Sequence, residues 1–163
     1  MIREDLINTP IECGVRSLLV LDAVHPKRCD LKRLVAYDYF LSHSGDVEGG
    51  PDSLHAESPF RLGEILVRRE IVKRGLKLIV AKGLVHQHFG SFGIEYEAAS
   101  FANQFLNYFE SEYANKAKKV ASWINEHFGS LTDSELDAYI TEKLGKWGVE
   151  FADNPYESVR DSE

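Results

Sequence analysis

Three side chains able to handle metals or protons lie close together in the chain: His43, Asp46 and His55. A His-x-x-Asp pair with a second His twelve residues on could in principle converge on a divalent ion, because imidazole and carboxylate are ordinary ligands for such ions. The same residues have structural uses. His43 can end a helix, and Asp46 can bond to loop amides. No tight spacing such as His-x-x-x-His accompanies them, so no metal and no other cofactor is expected. The three are read instead as points where a loop insert could touch a partner. Nucleophilic chemistry has less support. Gly-x-Ser-x-Gly is absent, and Cys13 lies beside an apolar helical stripe, as a small buried thiol would. Ser91, within Gly90-Ser91-Phe92-Gly93, lacks the pattern and the following Lys of a phosphate loop. No residue is assigned a catalytic role.

The other chemistry-bearing feature is electrostatic. Residues 61–82 hold Arg61, Arg68, Arg69, Lys73, Arg74, Lys77 and Lys82 against two acids, a local charge of +5. Since the whole chain carries −7, the remainder is close to −12. Such a stretch suits phosphates, hence DNA, or an acidic protein face. It also suits a solvated helix face that balances an acidic remainder.

Elements must position these residues, and several are signposted. Thr9-Pro10-Ile11-Glu12 reads as an N-cap, a Pro at the first helical position and a capping-box Glu. Ile11, Val15, Leu18, Leu19 and Ala23 then follow at helical spacing until His25-Pro26. Asp30 can cap a second helix that ends at His43-Ser44-Gly45. Residues 44–60, rich in Gly and Pro, read as a long loop insert. Ser58-Pro59 opens a third helix running to Lys82-Gly83, with a bend or a helix junction expected at Gly75. Two short runs flanking Gly90-Ser91 then predict a β-hairpin.

From Glu97 to Phe128 the apolar positions Phe101, Phe105, Phe109, Tyr113, Ala117, Val120, Ile124 and Phe128 hold one stripe, predicting a single long helix. That stripe is more than a small domain should cover, so part of it is expected to face another chain, including a second copy in the isolated protein. Thr132-Asp133-Ser134-Glu135 caps a last helix. The expected fold class is mostly α with a small β-hairpin: a winged helix-turn-helix-like core plus long C-terminal amphipathic helices. The expected division is a core over 1–96 with the 44–60 insert, a helical arm over 97–146, and an acidic flexible tail over 147–163.

The whole chain has 163 residues, 44% hydrophobic and 28% charged, the make-up of an ordinary globular protein. Its −7 charge argues against a nucleic-acid binder that uses its whole surface. No apolar run reaches the roughly 18 residues of a membrane span, and MIREDLINTP has no signal-peptide core. Two cysteines, Cys13 and Cys29, make no disulfide framework, so a cytoplasmic protein with no membrane partner is expected.

Three blocks carry a family likeness: Tyr37-Asp38-Tyr39-Phe40-Leu41-Ser42-His43-Ser44-Gly45-Asp46, Gly50-Pro51-Asp52-Ser53-Leu54-His55, and Pro59-Phe60-Arg61-Leu62-Gly63-Glu64-Ile65-Leu66-Val67-Arg68-Arg69. With Gly83-Leu84-Val85 and Ile94-Glu95-Tyr96, the chain resembles, over most of residues 8–128, the small middle components of bacterial ABC three-component systems. That group includes the small subunit of Lamassu-type defence operons. The resemblance implies a non-enzymatic adaptor between an SMC- or Rad50-like ABC ATPase and an effector, often a nuclease, in defence against phage or plasmid. It transfers no catalytic residue. The partner- or DNA-binding residues expected are Arg61, Arg68, Arg69, Lys73, Arg74 and Lys77. A free-standing winged-helix transcriptional regulator is the rival reading.

Overall fold

The computed structural model describes residues 9–56, 61–91 and 93–143. Its elements follow in the order α1 (Pro10–Val24), β1 (Cys29–Asp30), α2 (Leu31–Ser42), a 3-10 turn (Ser44–Asp46), α3 (Arg61–Ala81), β2 (Val85–Gly90), β3 (Gly93–Ala98), α4 (Ala102–Leu106), α5 (Glu112–Phe128) and α6 (Asp133–Lys143). The three strands form one antiparallel sheet in the order β1-β3-β2. A mostly helical fold with a small sheet is what the sequence led us to expect.

The helix starts follow the local chemistry. Thr9 accepts from the Glu12 amide at 3.3 Å, and Asp30 accepts from the Arg33 amide at 2.8 Å. Each satisfies one of the amide donors that a helix start leaves open. Thr132 and Glu135 form the reciprocal pair expected: the Thr132 amide donates to Glu135 Oε2 at 2.9 Å, and the Glu135 amide donates to Thr132 Oγ1 at 3.2 Å.

No junction of two helices divides α3 at Gly75; Arg61–Ala81 is one helix. The helix runs through, and α1 crosses it at Gly75 closely enough to leave no room for a side chain. A Cβ on Gly75 would lie 2.6 Å from both the Gly14 nitrogen and the Pro10 oxygen. One on Gly14 would lie 2.9 Å from the Gly75 oxygen. Two glycines facing each other let the backbones touch, and the apolar flanks of the two helices close around them.

The single helix expected over 97–128 is not formed. β3 continues to Ala98, paired with Val85, and the Ala99 amide donates to the Leu84 oxygen at 2.9 Å. After the short α4 the chain breaks, and Ser111 caps α5 by accepting from the Ala114 amide at 3.1 Å. Nor is the stripe on α5 left bare. Ala117, Val120, Ala121, Ile124 and Phe128 are all buried in a core shared with Leu18, Leu21, Leu34, Phe40, Leu76 and Ile79. Phe128 stacks on Phe40 with ring centroids 4.6 Å apart.

The described part of residues 97–143 is therefore one body with the preceding helices, not a separate arm. The surface expected to pair two copies through the long helix is internal along α5. Two ion pairs, Lys32–Asp137 at 2.8 Å and the half-buried Arg33 with Asp133 at 3.5 Å, join α6 to the start of α2. The tail expected over 147–163 lies outside the described residues.

Candidate functional site

α3 presents two different faces. Arg68, Val72, Leu76 and Ile79 recur at helical spacing and are all buried. Arg69, Lys73, Arg74, Lys77 and Lys82 are exposed, and within that stripe Arg74 meets Glu70 at 3.5 Å. The side chain of Arg61 lies outside the described residues.

Arg68 is therefore a correction to the expected binding set. It points inward because its register is that of the core face, and Asp38 waits there. Arg68 Nη1 donates to Asp38 Oδ2 at 2.5 Å, to the Asp38 backbone oxygen at 3.2 Å and to Ser42 Oγ at 3.0 Å. From α1, Arg16 Nε donates to Asp38 Oδ1 at 2.8 Å, and Arg16 Nη2 donates to Cys13 Sγ at 2.9 Å. One carboxylate on α2 thus ties two guanidiniums from α1 and α3, all three side chains being buried.

Burial alone would push the Asp38 carboxyl up, but the Arg16 and Arg68 charges outweigh it and hold it at about 2. The same contact keeps Arg16 cationic against its own burial. The cluster was missed in the sequence because Asp38 sits among aromatic residues and Arg16 among aliphatic ones. The 68-72-76-79 spacing is the signal that could have exposed it.

His43, Asp46 and His55 do not build a metal centre. Among the described residues no group of three His, Cys, Asp or Glu side chains could hold an ion. Asp46 Oδ2 accepts from the Tyr39 hydroxyl at 2.8 Å. His55 Nε2 meets the Tyr113 hydroxyl at 2.9 Å, and its ring lies 6.1 Å from that of His43. His43 itself is buried, 4.8 Å from the Tyr39 ring, so it offers nothing to a partner. Burial, with Arg16 and Arg68 next in effect, pulls His55 down to about 4 and keeps it neutral.

These side chains fasten the described part of the insert, residues 44–56, onto α2 and α5. Backbone contacts finish the job. The His55 amide donates to the Ser42 oxygen at 3.0 Å, Ser44 Oγ donates to the Pro51 oxygen at 3.0 Å, and the Gly45 amide donates to Ser53 Oγ at 2.9 Å. The insert is an ordered cover. Cys13 and Cys29 are buried free thiols, each pushed up to about 12 chiefly by burial, which favours the neutral thiol.

Beyond α3 the hairpin projects. Gly90 pairs with Gly93, which takes φ +120°, so the turn falls one residue later than Gly90-Ser91. Phe89 and Ile94 are cross-strand partners at the tip, 77% and 39% exposed. The strands carry no Lys or Arg, and His88 Nε2 is engaged by Glu97 Oε2 at 2.8 Å. The exposed cationic face of α3 is thus followed in the chain by a hairpin whose strands carry no Lys or Arg and whose tip exposes Phe89 and Ile94.

No curated protein and no solved structure matches the chain. One family model does, over residues 6–150: middle component 2 of ABC-three component (ABC-3C) systems. With most of its length matched, the chain belongs to the ABC-three component system middle component 2 family.

Proposed function

We propose that this chain is a non-enzymatic adaptor subunit that joins an SMC- or Rad50-like ABC ATPase to a nuclease effector in a cytoplasmic complex directed against phage or plasmid. The family match over residues 6–150 carries the reading, because a middle component has other components to join. The site supports it. The titratable side chains that could have done chemistry are spent on internal bonds, while the exposed α3 stripe and hairpin tip are built for contact. The test is co-expression of the chain with the other components of its own system, followed by purification through a tag on the ATPase. Retention of this chain in fixed stoichiometry is expected. Its quantitative loss in the wash would overturn the proposal.

A second reading rests on a different observation. The order α1-β1-α2-α3-β2-β3 with sheet order β1-β3-β2 supports a winged-helix reading, in which α3 would be the helix that enters the major groove. A free-standing regulator would bind one duplex sequence at least about a thousandfold above random sequence, with steep salt dependence. The adaptor reading expects no such preference from the isolated chain. A titration of labelled duplex at two salt concentrations separates them.

A further inference from the structure

The open side of α3 is uniform in its chemistry. Every exposed position from 69 to 77 is charged: Arg69, Glu70, Lys73, Arg74 and Lys77. Arg74 and Glu70 pair with each other at 3.5 Å, while no ion pair among the described residues engages Arg69, Lys73 or Lys77. Those three recur at every fourth residue, so they fall about 6 Å apart along one side of the helix. The exposed Leu78 lies about 100° further round from Lys77, and Lys82 about 140°, so neither belongs to this row.

That composition selects the occupant. A protein interface needs an apolar centre and is depleted in Lys and Glu, and the row offers no apolar side chain to bury. Phosphates need only cations. A DNA duplex carries one negative charge for about every 1.7 Å of its axis, the complement of a row of unpaired cations. Residues 61–81 also contain no Asn, Gln, Ser or Thr, so α3 has few of the side chains that read base edges. The hairpin strands add no Lys or Arg, and Glu95 on β3 is exposed, so the hairpin repels a phosphate-lined groove rather than entering it.

We propose that Arg69, Lys73 and Lys77 seat this chain on the phosphates of duplex DNA without reading its sequence. Contacts of this kind fix how a protein lies on the duplex and carry no sequence information. Arg74, already held by Glu70, adds less. The inference goes beyond the adaptor reading, which names no nucleic acid, and does not depend on it. It parts from the regulator reading, which requires one preferred sequence.

The test is binding of the full chain to two labelled duplexes of unrelated sequence, followed across salt concentration. With three phosphate contacts the log–log slope should be about −2.7, so affinity should fall roughly fortyfold between 50 and 200 mM salt, equally for both duplexes. Lys77→Gln should make the slope shallower by about 0.9 at an unchanged melting temperature, and Lys82→Gln should leave it as it was. Absence of duplex binding at 50 mM salt would overturn the proposal, as would a slope indifferent to Lys77→Gln. A preference of about a thousandfold for one duplex would replace it with the regulator reading. In the co-expressed assembly, Lys73→Glu with Lys77→Glu should leave this chain in place while abolishing its DNA contact. Its release from the assembly would assign the row to an acidic protein surface instead, and would leave the adaptor reading standing.

Discussion

Asp38 ties two guanidiniums from different helices to one buried carboxylate. A buried ion pair adds little over a well-packed apolar replacement, but breaking one by removing a single partner leaves an uncompensated charge inside, at about 3–5 kcal/mol. Asp38→Asn should lower stability by that order in a denaturant titration. Arg68→Glu should do at least as much, whereas Arg69→Glu, on the open face, should stay within about 0.5 kcal/mol of the parent. Equal tolerance of the two charge reversals would refute the inward placement of Arg68.

His55 gives a separate signature in acid. Its pKa falls from 6.5 to about 4 on folding, so the unfolded chain takes up its proton first as the pH drops. The stability it contributes is complete above pH 6.5 and is lost on the way down to pH 4, at most about 3 kcal/mol for a shift of this size. Asp38 is lowered from 3.8 to about 2, so its contribution is complete above pH 3.8 and disappears only as the pH falls toward 2. Melting temperatures from pH 7 to 4 should fall more for the parent than for His55→Gln. Parallel curves would remove His55 from the account.

The helices meet through contacts that leave little room for substitution. Alanine at position 75 would gain about 1 kcal/mol of helix propensity over glycine. Its Cβ would also sit 2.6 Å from the Gly14 nitrogen and the Pro10 oxygen. Separation of α1 from α3 should win, and Gly75→Ala is expected to destabilise by about 1–3 kcal/mol. An unchanged or raised melting temperature would show that the crossing can relax.

Much at this scale was legible in the residues. The caps at Thr9, Asp30 and Thr132, the helices they start and the hairpin all answer to local chemistry. Two features were not. The 97–128 stripe stays in helical phase across the break at 107–111, and periodicity is blind to a Ser111 cap that interrupts a regular pattern. Gly75 carries the same residue type whether it kinks a helix or admits a neighbour, and only the position of Gly14 across from it decides. In the candidate site, Arg69, Lys73, Arg74 and Lys77 lie where a charged stripe belongs. Arg68 and His43 do not, because a charge argument made along the chain has no way to see a carboxylate on another helix.

At the scale of the whole molecule, α5 and α6 are part of the core and cannot be spared. Ile124 and Phe128 are fully buried, and Phe128 stacks on Phe40 of α2. A fragment ending at residue 98 would leave that ring and its neighbours facing water, and it should show no cooperative thermal transition. A sharp transition from that fragment would restore the division into a self-sufficient front half and an arm.

Phe89 and Ile94 are paired at the hairpin tip and open to water. Hydrophobic side chains displayed on a free protein are what cellular quality control inspects, and orphaned subunits are cleared through such displays. Copies made in excess of their associates should therefore turn over faster than assembled ones. Pulse-chase half-lives with and without the neighbouring genes would measure it, and Phe89→Ser should lengthen the life of the solitary chain. A small unsupported tip would then act as a ratio-keeper, matching the supply of this subunit to demand.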